Sequence, residues 1–198
     1  MISCISNLAW HTNEEKKALQ LLKKYKIKKL EFSPNLLLDN NFTKQQIQKV
    51  KKKWKTNGIN LYSMQSILYK IENAFIFGTK FQNLIFFKEV KKKIELASIL
   101  GVKVIVFGSP LNRKTFGKKK NILNKIFINT FRKLSIICKK NRVKLCIEAN
   151  PKIYKSEYLL NTNEVIEIVR KIKSTFVLVN LDLGAIIYNQ ENTEKIIK

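Results

Sequence analysis

Short β-branched segments alternate with longer amphipathic segments six times along the 198-residue chain, and this alternation restricts the fold more than any other feature. The predicted strands span residues 2–8, 27–32, 59–64, 102–107, 143–147 and 176–181. Regular alternation of strand and helix favours a parallel sheet with right-handed crossovers. A closed barrel and an open doubly wound sheet both satisfy this pattern.

The segments between the strands carry helix signals. Thr12 with Glu15 matches a capping box, and so does Thr43 with Gln46. Gly58 is placed to end the second helix. Apolar residues recur at spacings of three and four in the later helices. These helices are predicted at residues 83–100, 118–140 and 163–173, and another is predicted to begin at Glu191.

The six units indicate a single domain over residues 1–198. No glycine-rich phosphate-binding motif follows any predicted strand, which weighs against a nucleotide-binding open sheet. No apolar run approaches the ~18 residues that span a bilayer, and no basic segment precedes the apolar start. The three cysteines form no close pair, which fits a reducing compartment. We therefore expect a cytoplasmic protein with no membrane partner.

The formal charge of +25 has two interpretations. A basic surface is typical of nucleic-acid binding. However, only four of the 39 basic residues are arginine, and the chain is also rich in isoleucine and asparagine. Lysine, isoleucine and asparagine have codons rich in A and T, so a biased genome explains the charge, and nucleic acid is not the expected partner.

Polar residues follow the predicted strands, where the chemistry of a barrel collects. Glu148 and Asp182 end two apolar strands that are consecutive in the chain, so one divalent cation could bind both carboxylates. The alternative is that each carboxylate caps the following loop or helix. The only histidine, His11, makes a histidine-rich zinc site untenable.

Other strand ends supply groups for binding a substrate. Glu31 could hold a substrate hydroxyl or make a buried structural hydrogen bond. In the loop after the fourth strand, small residues would let a ligand approach the backbone, and Arg113 could meet a phosphate or carboxylate. The alternative for this loop is a solvated turn. The candidate substrate-binding residues are Glu31, Gln65, Ser109, Asn112, Arg113 and Asn150.

Several segments resemble the xylose isomerase-like TIM-barrel superfamily, in particular bacterial sugar phosphate isomerase/epimerase-like proteins. The supporting segments are residues 5–10, 30–34, 63–66, 97–101, 104–113, 147–151 and 181–185. The resemblance implies a (β/α)8 barrel, here incomplete with about six βα units. In the family, a glutamate after strand five and an aspartate after strand six bind a divalent metal. Glu148 and Asp182 match these two positions.

The resemblance also implies a mechanism. A proton is removed next to a sugar carbonyl through an enediolate, with Glu148 as one of two acid–base glutamates. The metal could be Mn²⁺, Mg²⁺, Co²⁺ or Zn²⁺, and the substrate a sugar or sugar phosphate. The family's second glutamate and its histidine come from strands seven and eight, and the position three residues after Asp182 holds Ala185 instead of the histidine that many members have.

Three functions stay open at this stage. The first is the isomerase or epimerase, inactive if the chain is C-terminally truncated. The second is a nucleic-acid enzyme of the abasic-site endonuclease type, which belongs to the same superfamily. The third is a non-catalytic barrel remnant or a subunit, which an oligomer or another chain would complete.

Overall fold

The computed structural model describes residues 3–197 and contains six strands and eight α-helices in that range. The strands are β1 (Ile5–Ser6), β2 (Lys29–Phe32), β3 (Asn60–Met64), β4 (Val104–Phe107), β5 (Lys144–Glu148) and β6 (Val177–Asn180). The helices are α1 (Glu15–Lys24), α2 (Pro34–Leu37), α3 (Lys44–Thr56), α4 (Lys80–Leu100), α5 (Lys120–Asn141), α6 (Thr162–Ile172), α7 (Leu183–Tyr188) and α8 (Thr193–Ile197).

The six strands form one parallel sheet whose spatial order is the same as their order in the chain. A doubly wound sheet reverses its strand order at a switch point, whereas a barrel adds each strand beside the previous one. The consecutive order therefore decides between the two folds that the sequence allowed. Within the described residues, β1 and β6 each have one edge without a neighbouring strand.

The core lies between the sheet and its helices. Leu30 and Phe32 on β2 and Phe107 on β4 are fully buried and belong to one apolar cluster with residues of α3, α4, α5 and α6. Glu31, between Leu30 and Phe32, is only partly buried. Because successive strand residues point to opposite faces, the packing of Leu30 and Phe32 directs Glu31 to the face that no helix covers.

Aromatic rings fill the centre of this core. Phe127 stacks on Phe131 with centroids 4.2 Å apart and an interplanar angle of 14°. Phe107 meets Phe131 edge-on at 5.2 Å, and Phe86 meets Phe107 edge-on at 5.7 Å. These contacts join β4, α4 and α5, because offset and edge-to-face aromatic pairs add attraction to the area that they bury.

Side-chain hydrogen bonds cap the N-termini of several helices, and the sequence predicted some of these caps. The predicted capping box of Thr43 and Gln46 is present: Gln46 N donates to Thr43 Oγ1 at 3.2 Å, and Thr43 N donates to Gln46 Oε1 at 2.6 Å. At α4 the helix begins at Lys80, three residues before the prediction, because Thr79 caps it.

The first βα unit departs most from the prediction. Part of the strand predicted at residues 2–8 lies outside the described residues, and β1 ends at Ser6. Ser6 Oγ accepts a hydrogen bond from Leu8 N at 3.3 Å, and the chain turns into a short 3₁₀ helix. The box predicted for Thr12 and Glu15 forms one residue earlier, where His11 N donates to Glu14 Oε2 at 3.2 Å.

No helix among residues 3–197 combines the length and apolar character that crossing a membrane requires.

Replacement of Phe131 by alanine should destabilise the fold by about 3–5 kcal/mol, because the substitution removes a fully buried ring and leaves a cavity. Phe81→Ala is the matched control, since Phe81 is 67% exposed on α4. The control should change the free energy of unfolding by less than about 0.5 kcal/mol. Urea unfolding followed by circular dichroism measures both values, and equal losses would contradict the packing described here.

Candidate functional site

Glu148 is the last residue of β5 and lies in register with Asn180, the last residue of β6. Asn180 Nδ2 donates to Glu148 Oε2 at 3.0 Å, and Asn150 Nδ2 donates to Oε1 at 3.3 Å. Both carboxylate oxygens are therefore held by side-chain amides. Asn180 was not among the predicted site residues, although a polar residue at the end of an apolar strand is a usable signal.

Partial burial controls the charge of Glu148. Desolvation raises the pKa of its carboxyl group above the ordinary value, and the negative charge of Asp182 raises the pKa further. The Asn150 amide, the positive charge of Arg113 and the Asn180 amide act in the opposite direction. A carboxylate with a raised pKa is a stronger proton acceptor than one in water.

Gly108, directly after β4, leaves room for this carboxylate. A Cβ at Gly108 would lie 2.3 Å from Glu148 Oε1 and 3.2 Å from Asn150 Oδ1. The sequence prediction explained this small residue by the approach of a ligand to the backbone. In the structure, the group that approaches Gly108 is the Glu148 side chain.

Arg113 lies inside the protein and is 0% exposed. Its Nη1 donates to the backbone oxygen of Glu148 at 3.2 Å, and its Nη2 donates to Asn150 Oδ1. Burial lowers the pKa of Arg113 to about 10, so the guanidinium stays charged at neutral pH. From the sequence, this guanidinium could meet a phosphate or carboxylate of a ligand, or lie in a solvated turn; in the structure it is buried and contacts the groups that surround Glu148.

Asp182 follows β6 and caps α7, because its Oδ1 accepts a hydrogen bond from Gly184 N at 2.9 Å. This is the capping alternative that the sequence analysis left open. Its negative charge nevertheless acts on Glu148, so the two carboxylates are electrostatic neighbours. Hard oxygen ligands of this kind suit a divalent cation.

The described residues do not by themselves form a complete metal site. No group of three or more histidine, cysteine, aspartate or glutamate side chains in residues 3–197 is arranged to hold a metal ion. Glu148 and Asp182 would therefore supply only part of a coordination shell.

A second polar cluster lies at the ends of β1, β2 and β3. Glu31 Oε2 accepts a hydrogen bond from Ser63 Oγ at 2.9 Å, and Glu31 Oε1 accepts one from Gln65 Nε2 at 2.6 Å. Gln65 Nε2 also lies 2.8 Å from Ser6 Oγ. The predicted residues Glu31 and Gln65 are thus in direct contact, and each carboxylate oxygen of Glu31 accepts one side-chain hydrogen bond.

The predicted loop residues Ser109 and Asn112 lie beside the loop that follows β3. Asn112 Nδ2 donates to the backbone oxygen of Ala74 at 2.7 Å, and Ile76 N donates to the backbone oxygen of Asn112 at 3.1 Å. These bonds join the loops after β3 and β4. Ser109 begins a short 3₁₀ helix at Pro110–Arg113 with a left-handed backbone, φ 45°.

Together, the consecutive parallel strands and the polar groups at their carboxyl ends define an α/β protein of the barrel type with a carboxylate-bearing site. The family model described as xylose isomerase-like TIM barrel matches residues 19–198. The chain belongs to this family.

Solved structures share the fold at low sequence identity. A D-psicose 3-epimerase, solved in the presence of D-fructose, gives a TM-score of 0.79 at 14% identity, covering 100% of this chain and 68% of that chain. A family 2 AP endonuclease from Brucella melitensis gives 0.78 at 16% identity, covering 100% and 74%. A xylose isomerase-like TIM barrel protein from Mycobacterium smegmatis in complex with magnesium gives 0.66 at 13% identity, covering 93% and 65%.

These structural similarities establish the fold of the chain but do not establish its activity. A comparison with curated protein sequences gives no match.

The raised pKa of Glu148 predicts a pH-dependent effect of Glu148→Gln on stability. A carboxyl group whose pKa is raised by folding stabilises the folded state below its unfolded pKa, and this contribution is lost as the pH rises through its folded pKa. The variant lacks this dependence, so its stability relative to the parent chain should increase from acidic to neutral pH.

Urea unfolding of both chains across this pH range measures the difference. Glu167→Gln, on the exposed side of α6, is the matched control and should show no such trend. A difference between the Glu148→Gln variant and the parent that is constant with pH would contradict the burial of an ionised Glu148.

Proposed function

We propose that this chain transfers a proton next to the carbonyl group of a sugar or sugar phosphate, as metal-dependent isomerases and epimerases do. The observation that carries the proposal is Glu148: a partly buried carboxylate with a raised pKa, held by two amides at the carboxyl end of a strand. Membership of the family supports it, as does an epimerase among the proteins with the same fold.

Glu148 acts in this proposal as the general base. Its carboxylate accepts the proton from the carbon next to the carbonyl, and the electron pair moves to the carbonyl oxygen to give an enediolate. Return of this proton from the Glu148 carboxyl group to the former carbonyl carbon gives an isomer. An epimer requires a second acid that delivers a proton to the opposite face of the original carbon. Asn180 and Asn150 keep the carboxylate in one orientation. This reduces the entropy that is lost when the transition state forms.

Glu148 and Asp182 are proposed as two oxygen ligands of a divalent cation such as Mn²⁺, Mg²⁺, Co²⁺ or Zn²⁺. A cation there would stabilise the negative charge that develops on the substrate oxygen. The neighbour solved with magnesium supports a metal in this fold.

The remaining predicted residues are proposed to bind substrate. Glu31 and Gln65 present a hydrogen-bonded carboxylate and amide, which suits sugar hydroxyls. Asn150 lies against Glu148, and Ser109 and Asn112 lie in the loop after β4. Arg113 is proposed to act through Glu148 and Asn150, because its guanidinium donates to both residues.

Hydrogen exchange with solvent tests the proposed step. In D₂O with Mn²⁺, the chain should introduce deuterium next to the carbonyl of fructose 6-phosphate or fructose, as proton NMR would show. Glu148→Gln should lower the exchange rate by about 100-fold or more, the usual size of a general-base contribution. Asp182→Asn should raise the Mn²⁺ concentration needed for half-maximal exchange.

The control for both variants is Asp39→Asn, which removes a carboxylate from an exposed loop. Its exchange rate and Mn²⁺ dependence should equal those of the parent chain. Exchange that survives in Glu148→Gln would overturn the role given to this residue.

An endonuclease-like function is the second candidate, because a family 2 AP endonuclease has the same fold and the charge is +25. Binding that neutralises several phosphates releases counterions, so affinity for DNA would fall steeply with salt. Against this candidate, the chain has one histidine, His11, which is exposed and precedes α1 in the chain.

We expect any binding to an abasic DNA duplex to be non-specific, so that it equals binding to the intact duplex at every salt concentration. Fluorescence anisotropy with both duplexes measures this. Preference for the abasic duplex that persists at physiological salt would favour the endonuclease over the sugar enzyme.

A further inference from the structure

A cavity of about 760 Å³ lies between the loops that follow β3 and β4. We call it the loop pocket; its lining comprises Ser66, residues 68–73, Phe75, residues 109–112 and Lys114. Its volume is in the range of small-molecule sites, and it opens at the carboxyl ends of the strands, where barrel enzymes bind their substrates.

Two residues of the lining directly follow, in the chain, residues that belong to or contact the polar clusters of the candidate site. Ser109 directly follows Gly108, against which the Glu148 carboxylate lies. Ser66 directly follows Gln65, which donates to Glu31. The pocket and the two clusters thus lie on loops and strand ends that are continuous in the chain.

Four non-glycine residues of the lining have a left-handed backbone: Ser66 (φ 50°), Lys70 (φ 59°), Asn73 (φ 55°) and Ser109 (φ 45°). This conformation costs of order 1 kcal/mol at each residue, and such residues cluster at ligand sites. The hydrogen bonds between Asn112 and the loop after β3 hold the two loops in this arrangement.

The lining combines an apolar wall with positive charge at the rim. Leu68, Ile71 and Phe75 form the wall, and Phe116 braces Phe75 edge-on at 5.5 Å. Apolar walls suit the C–H faces of a sugar ring. Exposed Lys70 and Lys114 line the same cavity.

The charges and hydroxyl groups of the lining favour an anion. Glu72 is the one acidic residue among the lining residues, so the lining carries a net positive charge. Ser66 and Ser109 also line the cavity, and a serine hydroxyl group can donate a hydrogen bond to an anion.

We propose that the loop pocket binds the phosphate-bearing end of a phosphorylated sugar, with Lys70 and Lys114 contacting the phosphate. Arg113 cannot do so, because its buried guanidinium donates to Glu148 and Asn150. The proposal rests on the proposed function in one respect: it makes the substrate of that site a sugar phosphate instead of a neutral sugar.

Binding of ribose 5-phosphate and of ribose tests the proposal. The measurement is chemical-shift perturbation of backbone amides in metal-free buffer containing a chelator. The test variant is Lys70→Gln/Lys114→Gln. The control is Lys88→Gln/Lys133→Gln, which removes the same charge from exposed positions on α4 and α5.

Ribose 5-phosphate should shift the amides of the loop pocket, and ribose should bind at least tenfold more weakly. The test variant should lose roughly tenfold in affinity for ribose 5-phosphate, as expected for two partly exposed ion pairs. The control variant should keep the affinity of the parent chain. Equal losses in the two variants, or shifts that avoid the pocket, would overturn the proposal.

The measurement is independent of proton transfer, because it needs neither the metal nor the base. If the parent chain binds ribose 5-phosphate in the loop pocket but catalyses no deuterium exchange, the proposed reaction is wrong and the proposed phosphate site stands. If the chain catalyses deuterium exchange on neutral fructose but does not bind ribose 5-phosphate, the proposed reaction stands and the proposed phosphate site is wrong.

Discussion

Helices cover one face of the parallel sheet, and the apolar packing on that face sets the direction of every strand side chain. Leu30, Phe32 and Phe107 are fully buried beneath the helices. Because strand side chains alternate between the faces, burial of these residues turns Glu31 to the other face. The same alternation separates Ile147, which is fully buried in the core, from Glu148, which reaches the candidate site.

Glu148 is surrounded by groups with opposing effects. Desolvation and Asp182 favour its neutral form, whereas the amides and Arg113 favour its charged form. Arg113 also ties the Glu148 backbone to the Asn150 side chain from within the protein. The buried cation thus contributes to the orientation of a carboxylate that solvent can still approach, which is the arrangement a positioned base requires.

The fold alone leaves the reaction open, since an epimerase and an endonuclease both have it. The particular chemistry depends on side chains at the strand ends and in the loops. Two clusters are present here, around Glu31 and around Glu148, and the loop pocket lies between the loops that follow β3 and β4. The phosphate contacts that we propose for Lys70 and Lys114 would give a local role to two lysines of a charge that composition alone attributes to codon bias.

Strand–helix alternation in the sequence predicted the parallel α/β fold and five of the six strands to within about two residues at each end, because apolar periodicity reports burial directly. It also placed Glu148 and Asp182 at the ends of neighbouring strands. The first strand was predicted too long, since a single side-chain contact from Ser6 turns the backbone there. Asn180 went unnoticed because its role depends on the register of β5 with β6.

The sequence by itself therefore determined which segments are strands and helices and which carboxylates follow the strands. Only the tertiary structure decided that the strands lie in consecutive order, that Asp182 caps α7 and that Arg113 is buried. It also brought the loops after β3 and β4 together to form a pocket. The physical reason is that local patterns record whether a residue is buried, whereas the identity of its partners depends on contacts between residues far apart in the chain.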